Sequence, residues 1–242
     1  MRNNRLRFWI IAGLCVSLGS VFRLACAQAD STQRIAVVVF DDFFTSDVIG
    51  PLEVFGNAIA RDLLAGYEVV TVAPQAGAVT AREGITVVVD YELADLPDVD
   101  VLIVGSRMDM SALLADEEFM GFIAEQGSRA KWIASNCSGA FVLARAGLLD
   151  GKKATTYLGG EEELQAEYPL VRVQTDVPYV VDGNVVTSNG SLMSYPAALE
   201  LLRLIAGEAV AEEVAEAISY TRLLERGDAG RGGVATRGAT ID

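Results

Sequence analysis

Trp132-Ile133-Ala134-Ser135-Asn136-Cys137-Ser138-Gly139-Ala140-Phe141 runs from an apolar stretch straight into a helix-forming one, with a small residue on either side of the thiol. The pattern reads as a buried strand over residues 132–135 and a helix over 138–146, closed by Gly147. Small neighbours permit a cramped turn between them. Such a turn is a nucleophile elbow, in which a strained backbone lifts one side chain above the sheet toward solvent. The helix start also sets unpaired N–H groups beside the sulfur, an arrangement that favours thiolate.

Outward from this pair, short apolar runs alternate with helix-period segments, the signature of βαβ units. Toward the N-terminus, strands are expected at residues 35–40, 67–73 and 101–104, with a hairpin around 79–89. Pro51 suits the first turn of a helix over residues 52–64, and a further helix is expected over 116–126, closed near Gly127. Beyond Gly151, strands at 171–173 and 179–181, and an Asp182-Gly183 turn into 184–187, extend the sheet at its edge. Helices over 197–206 and 209–219 pack on it. The expected architecture is a three-layer α/β sandwich with a mainly parallel sheet and helices on both faces.

The ends read differently. Arg2, Arg5 and Arg7 precede an apolar run from residue 8 to 22 and the small residues Ala25-Cys26-Ala27, so residues 1–27 have the form of a secretory signal peptide. The run falls short of the ~20 residues that span a bilayer. Arg23, three residues before Cys26, argues against lipid modification of that cysteine. A domain over residues 28–222, exported to the periplasm or secreted, with a disordered Gly-rich tail over 223–242, is the expected organisation.

Cleavage would remove four of the 19 basic residues and no acid, leaving 15 against 33 acidic ones. That balance, with no basic run, disfavours direct nucleic-acid binding, and no membrane span remains after cleavage. Two of the three cysteines lie in the leader, which leaves Cys137 a lone thiol. The chain has no histidine, which removes the Ser-His-Asp triad, the Cys-His dyad and the His-rich zinc sites. Neither a metal nor a cofactor is called for. Glu161-Glu162-Glu163 reads as a solvated helix face, and Met108, Met110 and the tryptophans as packing residues.

Three groups of residues give a resemblance. Residues 37–43 lead to Asp47-Val48-Ile49-Gly50-Pro51-Leu52-Glu53; Asn136-Cys137-Ser138-Gly139-Ala140 is followed by Ala146-Gly147-Leu148-Leu149-Asp150-Gly151; Ala154-Thr155-Thr156 and Thr187-Ser188-Asn189-Gly190 complete the set. From about residue 34 to 219 the chain resembles the ThiJ/PfpI superfamily (class I glutamine amidotransferase-like), in its isonitrile hydratase-like and regulator-type branch. The resemblance implies a flavodoxin-like fold, a homodimer, a nucleophile at Cys137, a carboxyl partner at Asp47 and a hydroxyl role for Ser138. Asp47 would hydrogen-bond the sulfur, lower the thiol pKa and act as acid or base. Local sequence alone is equally satisfied by Asp47 as a loop or capping carboxylate, and by Cys137 as a small buried hydrophobe.

Two departures from the family pattern stand out. Tyr157 occupies the place where many relatives carry histidine, and Gly105-Ser106-Arg107 replaces Pro-Gly-Gly, so Arg107 can set a positive charge at the pocket mouth. The expected pocket comprises Gly105, Ser106, Arg107, Tyr157, Asn189 and Gly190. Three functions remain open: a cysteine-dependent hydratase or lyase acting on a small electrophile such as an isonitrile, a non-catalytic small-molecule-binding domain, and a thiol redox sensor.

Overall fold

The computed structural model describes residues 32–224. The expected signal peptide lies outside these residues, as does the tail from residue 225 onward; residues 223 and 224 belong to a helical stretch. Strand β1 (Gln33–Val38) is followed by helix α1 (Thr45–Ala60), β2 (Tyr67–Ala73), the hairpin β3 (Ala78–Thr80) and β4 (Thr86–Val88), β5 (Tyr91–Glu92) and β6 (Val101–Val104). Helices α2 (Ser111–Ala115) and α3 (Glu117–Arg129) lead into β7 (Trp132–Asn136) and α4 (Gly139–Arg145). Then come β8 (Lys153–Ala154), α5 (Glu161–Glu167), β9 (Arg172–Val173), β10 (Tyr179–Asp182), β11 (Val185–Ser188), α6 (Ser194–Ala206) and α7 (Glu208–Ala217).

Seven strands form the central sheet in the order β10-β11-β7-β6-β1-β2-β5, parallel throughout except for the edge strand β10. Ile35 to Val38 and Val101 to Val104 are buried, as continuous apolar strands must be when both sheet faces are covered. Helices α1, α6 and α7 pack together as one layer, and α2, α3 and α4 as another. This is the flavodoxin-like three-layer sandwich expected from the sequence.

Several elements depart from expectation. Helix α1 begins at Thr45 and carries Pro51 inside it, not in its first turn. A proline there withholds the N–H that would bond the Asp47 carbonyl one turn back. That carbonyl instead accepts from Asn136 Nδ2 at 2.8 Å, a partner 89 residues away that local sequence does not announce. Helix α3 runs through Gly127 to Arg129; a Cβ at Gly127 would stand 2.4 Å from Leu148 Cδ1, so that glycine serves packing rather than termination. Strand β9 pairs with β8 in a separate two-stranded sheet and does not extend the main one. Helix α7 packs chiefly on α6 and α1, not on the sheet.

The register sets the site. Val38 pairs with Val104, Val104 with Ser135, and Asn136 with Ser188, so the carboxyl ends of β1, β6, β7 and β11 lie side by side. The segments that leave those ends carry Asp47, residues 105–107, Cys137 and residues 189–191. Open α/β sheets form their crevice at this edge.

Candidate active site

Cys137 has φ 53°, a left-handed conformation that costs a non-glycine residue on the order of 1 kcal/mol. The turn is held from three sides. Its N–H donates to the Ser188 carbonyl at 3.0 Å, and its carbonyl accepts from Thr156 Oγ1 at 2.9 Å. Behind it, a Cβ at Gly139 would stand 2.6 Å from the carbonyl oxygens of Val104 and Gly105, so only glycine lets α4 begin this close to β6. The expected elbow is therefore present.

Asp47 is almost wholly buried, in the first turn of α1. One carboxyl oxygen accepts from the Ser106 hydroxyl; the other accepts from the Ser191 N–H at 2.5 Å and Ser194 Oγ at 2.8 Å. A loop or capping role is thereby replaced by a central one. Gly190, with φ 80°, separates this carboxyl from the thiol. A methyl carbon there would lie 2.4 Å from Cys137 Cβ and 2.9 and 3.0 Å from the Asp47 oxygens. Both groups thus border one small space.

A second set of bonds fixes the carboxyl group through its own backbone. Asn136 Nδ2 holds the Asp47 carbonyl, Asn136 Oδ1 accepts from Ser188 Oγ at 2.6 Å, and Ser188 Oγ accepts from the Gly190 N–H at 3.1 Å. The acid, the residue before the nucleophile and the 188–191 turn form one buried network. Networks satisfied at every member rigidify the site that they surround.

Electrostatics oppose the thiolate that the elbow alone suggested. Burial first, and the Asp47 charge second, push the Cys137 thiol up to about 11. The Ser138 N–H and the hydroxyls of Ser106 and Ser138 pull the other way without prevailing. Asp47 is itself raised by burial, against the hydrogen bonds from Ser106, Ser194 and Ser191. Among the described residues no hydrogen bond joins carboxyl and sulfur directly; Ser106, which bonds Asp47, is the hydroxyl within reach of both.

Above the sulfur opens a cavity of about 480 Å³. Its wall is apolar and aromatic, with Phe44, Met110, Leu114, Phe141 and Tyr157 beside Cys137 and Ser138. Phe141 and Tyr157 stack with ring centroids 6.1 Å apart, and the Tyr157 hydroxyl donates to Glu163 at 2.7 Å. Arg107 also lines the cavity, and its Nε is buried with no acceptor. No group of described residues is arranged to hold a metal ion.

Residues 33–204 match the DJ-1/PfpI family. The chain belongs to that family. It is 28% identical over 187 residues to an isonitrile hydratase of Pseudomonas putida, covering 77% of this chain and 78% of that protein. To the transcriptional regulator GbdR of Pseudomonas aeruginosa it is 25% identical, over 83% of this chain but only about half of the regulator (54%). Among solved structures, a ThiJ/PfpI family protein of Pseudomonas syringae superposes with a TM-score of 0.70 at 29% identity, covering 78% of this chain and 75% of that one.

Within this DJ-1/PfpI domain the expected site residues divide. Cys137, Ser138, Arg107 and Tyr157 meet at the cavity. Ser106 is fully buried and faces Asp47, while Gly105 packs under Val48 and the Val38 carbonyl; neither lines the cavity. Asn189 spends its amide on the Thr156 carbonyl at 2.6 Å and Thr155 Oγ1, stitching the 155–156 loop to the turn instead of facing a ligand. Ser138 Oγ donates to the Arg107 carbonyl at 2.8 Å and accepts from the Arg107 N–H, joining the elbow to the loop after β6.

Other roles escaped the sequence. Ser191 and Ser194 hold the acid, yet nothing near them in sequence marks a site. Met108 is exposed at the cavity rim, not in the core. The Glu161-Glu162-Glu163 run is a solvated face only in part: Glu161 is buried and accepts from the Gly159 N–H at 2.7 Å, and Glu163 holds Tyr157.

Proposed function

We propose that this DJ-1/PfpI domain is a cysteine-dependent hydratase for small electrophiles of the isonitrile class, with Cys137 as nucleophile and Asp47 as its acid–base partner. The observation that carries the reading is Asp47: a buried carboxyl group, held by three hydroxyl or amide donors, beside a thiol that opens on an apolar cavity. Overlap with an isonitrile hydratase along most of both chains supports it.

The chemistry suits groups that keep their protons. As sulfur bonds the terminal isonitrile carbon, its own proton passes through Ser106 to Asp47, and Asp47 supplies a proton to that carbon, giving a thioimidate. Water then adds to the C=N bond, the C–S bond breaks, the proton returns to sulfur, and an N-substituted formamide leaves. Burial raises the pKa of both groups, a shift toward the protonated form that a proton-donating site uses. A thiol pushed upward reacts slowly with oxidants, which weighs against the redox-sensor reading.

Incubation with tert-butyl isonitrile tests the proposal: formamide production by the wild type, abolished in Cys137→Ala, is expected. Absence of formamide from the wild type rejects it. Similarity to a regulator supports a second reading, a ligand-binding domain without turnover, which predicts ligand-induced thermal stabilisation that survives Cys137→Ser. Export to the periplasm or beyond and assembly as a homodimer remain part of the proposal, resting on the form of residues 1–27 and on the family resemblance.

A further inference from the structure

Arg107 is the feature of the cavity that hydration of a neutral isonitrile leaves unused. Its Nε is buried without an acceptor, an uncommon condition for a charged side chain in a folded protein. None of the ion pairs among the described residues involves Arg107. Three carboxylates also line the cavity, but all are exposed on its rim. Two of these already have donors: Asp109 accepts from the N–H and hydroxyl of Ser111, and Glu163 from Tyr157. Glu167 is the third. Rim charges are screened by water and salt, whereas a half-buried guanidinium is screened less.

We infer that the cavity takes a small molecule with an apolar body and one carboxylate, and that Arg107 binds that carboxylate while Cys137 faces the reactive carbon. The inference rests on Cys137 being the reactive centre of this cavity. The loop geometry supports it: the Arg107 backbone is fixed to Ser138 through its N–H at 3.3 Å and its carbonyl at 2.8 Å, so the cation is tied to the residue next to the nucleophile. Phe44, Met110, Leu114 and Phe141 offer the body of the ligand an apolar wall. The rim acids disfavour polyanions such as phosphate esters, leaving monocarboxylates as the class that fits.

Paired alkylating agents read this directly, because iodoacetate and iodoacetamide differ chiefly in charge. In either case sulfur displaces iodide as the S–C bond forms, so turnover of a substrate is not needed and loss of hydratase activity leaves the test intact. The ratio of the iodoacetate to the iodoacetamide rate at Cys137 is expected to exceed that of free glutathione, despite the chain's net charge of −14. Arg107→Gln should lower the ratio about tenfold, as loss of one charge-assisted hydrogen bond implies, while the iodoacetamide rate holds. An unchanged ratio in Arg107→Gln overturns the inference. Should that variant fail to fold, protection of the wild type decides: butyrate must slow iodoacetamide labelling of Cys137 where butyramide does not, and equal protection, or none, overturns it.

Discussion

Cys137 combines a left-handed backbone with a thiol that burial and Asp47 push up to about 11, and each has a measurable consequence. A folded pKa raised above the ordinary value of 9.0 means that the stability linked to this thiol is present below pH 9 and lost as pH climbs toward 11. Wild-type protein should therefore lose on the order of 2 kcal/mol relative to Cys137→Ser over that interval, measured by urea unfolding at each pH. Asp47 has the same sign at lower pH: its raised pKa favours the folded state below about 4, an advantage that fades as pH rises through the folded value. Asp47→Asn keeps the shape of the side chain, and its amide can face Ser106. Its melting temperature relative to wild type should thus improve from pH 4 to pH 8, while hydration falls by about 100-fold or more. Cys137 was legible in the sequence because an elbow is a local pattern, whereas Asp47 came from the family resemblance, local sequence being equally satisfied by a loop or capping carboxylate. Ser191 and Ser194 were not legible, and Ser106 was expected as a pocket residue rather than as a donor to Asp47, since these serines acquire their roles only when β1, β6 and β11 end at one place.

At the scale of elements, α1 is joined to β7 by a bond that a proline made available. Pro51 leaves the Asp47 carbonyl without its helical donor, and Asn136 supplies one at 2.8 Å. Asn136→Ala should cost about 1–3 kcal/mol, because it strands a buried carbonyl and removes the acceptor of Ser188 Oγ. Pro51→Ala restores an N–H in register with that carbonyl. In a double-mutant cycle followed by thermal unfolding, the two changes should couple favourably by about 1 kcal/mol. The same bond explains why the helix was expected seven residues late: a proline usually marks a first turn, and the donor that lets α1 extend backward to Thr45 comes from another element. Strands β2 and β6, in contrast, coincide with their sequence reading, being short valine-rich runs between polar or turn-forming residues. Strand β9 was drawn toward the sheet edge because two residues carry no record of which partner they meet.

Taken as a whole molecule, the chain uses a fold readable from its alternation of apolar runs and helical periods to gather four strand ends into one crevice. The acidic excess and the missing histidines turn attention away from nucleic acid and triad chemistry and toward one thiol. The proposed export rests on the form of residues 1–27 alone; expression with a full-length N-terminus should then yield a processed protein whose first residue, by N-terminal sequencing, lies near Gln28. The central claim is that sulfur of Cys137 bonds substrate carbon. Acid quenching of wild-type protein during turnover of an isonitrile, followed by intact-mass and peptide analysis, tests it most directly. A gain equal to the full mass of the isonitrile, located on Cys137, is the result this account predicts; formamide production at the wild-type rate by Cys137→Ala, with no adduct in either protein, would contradict it.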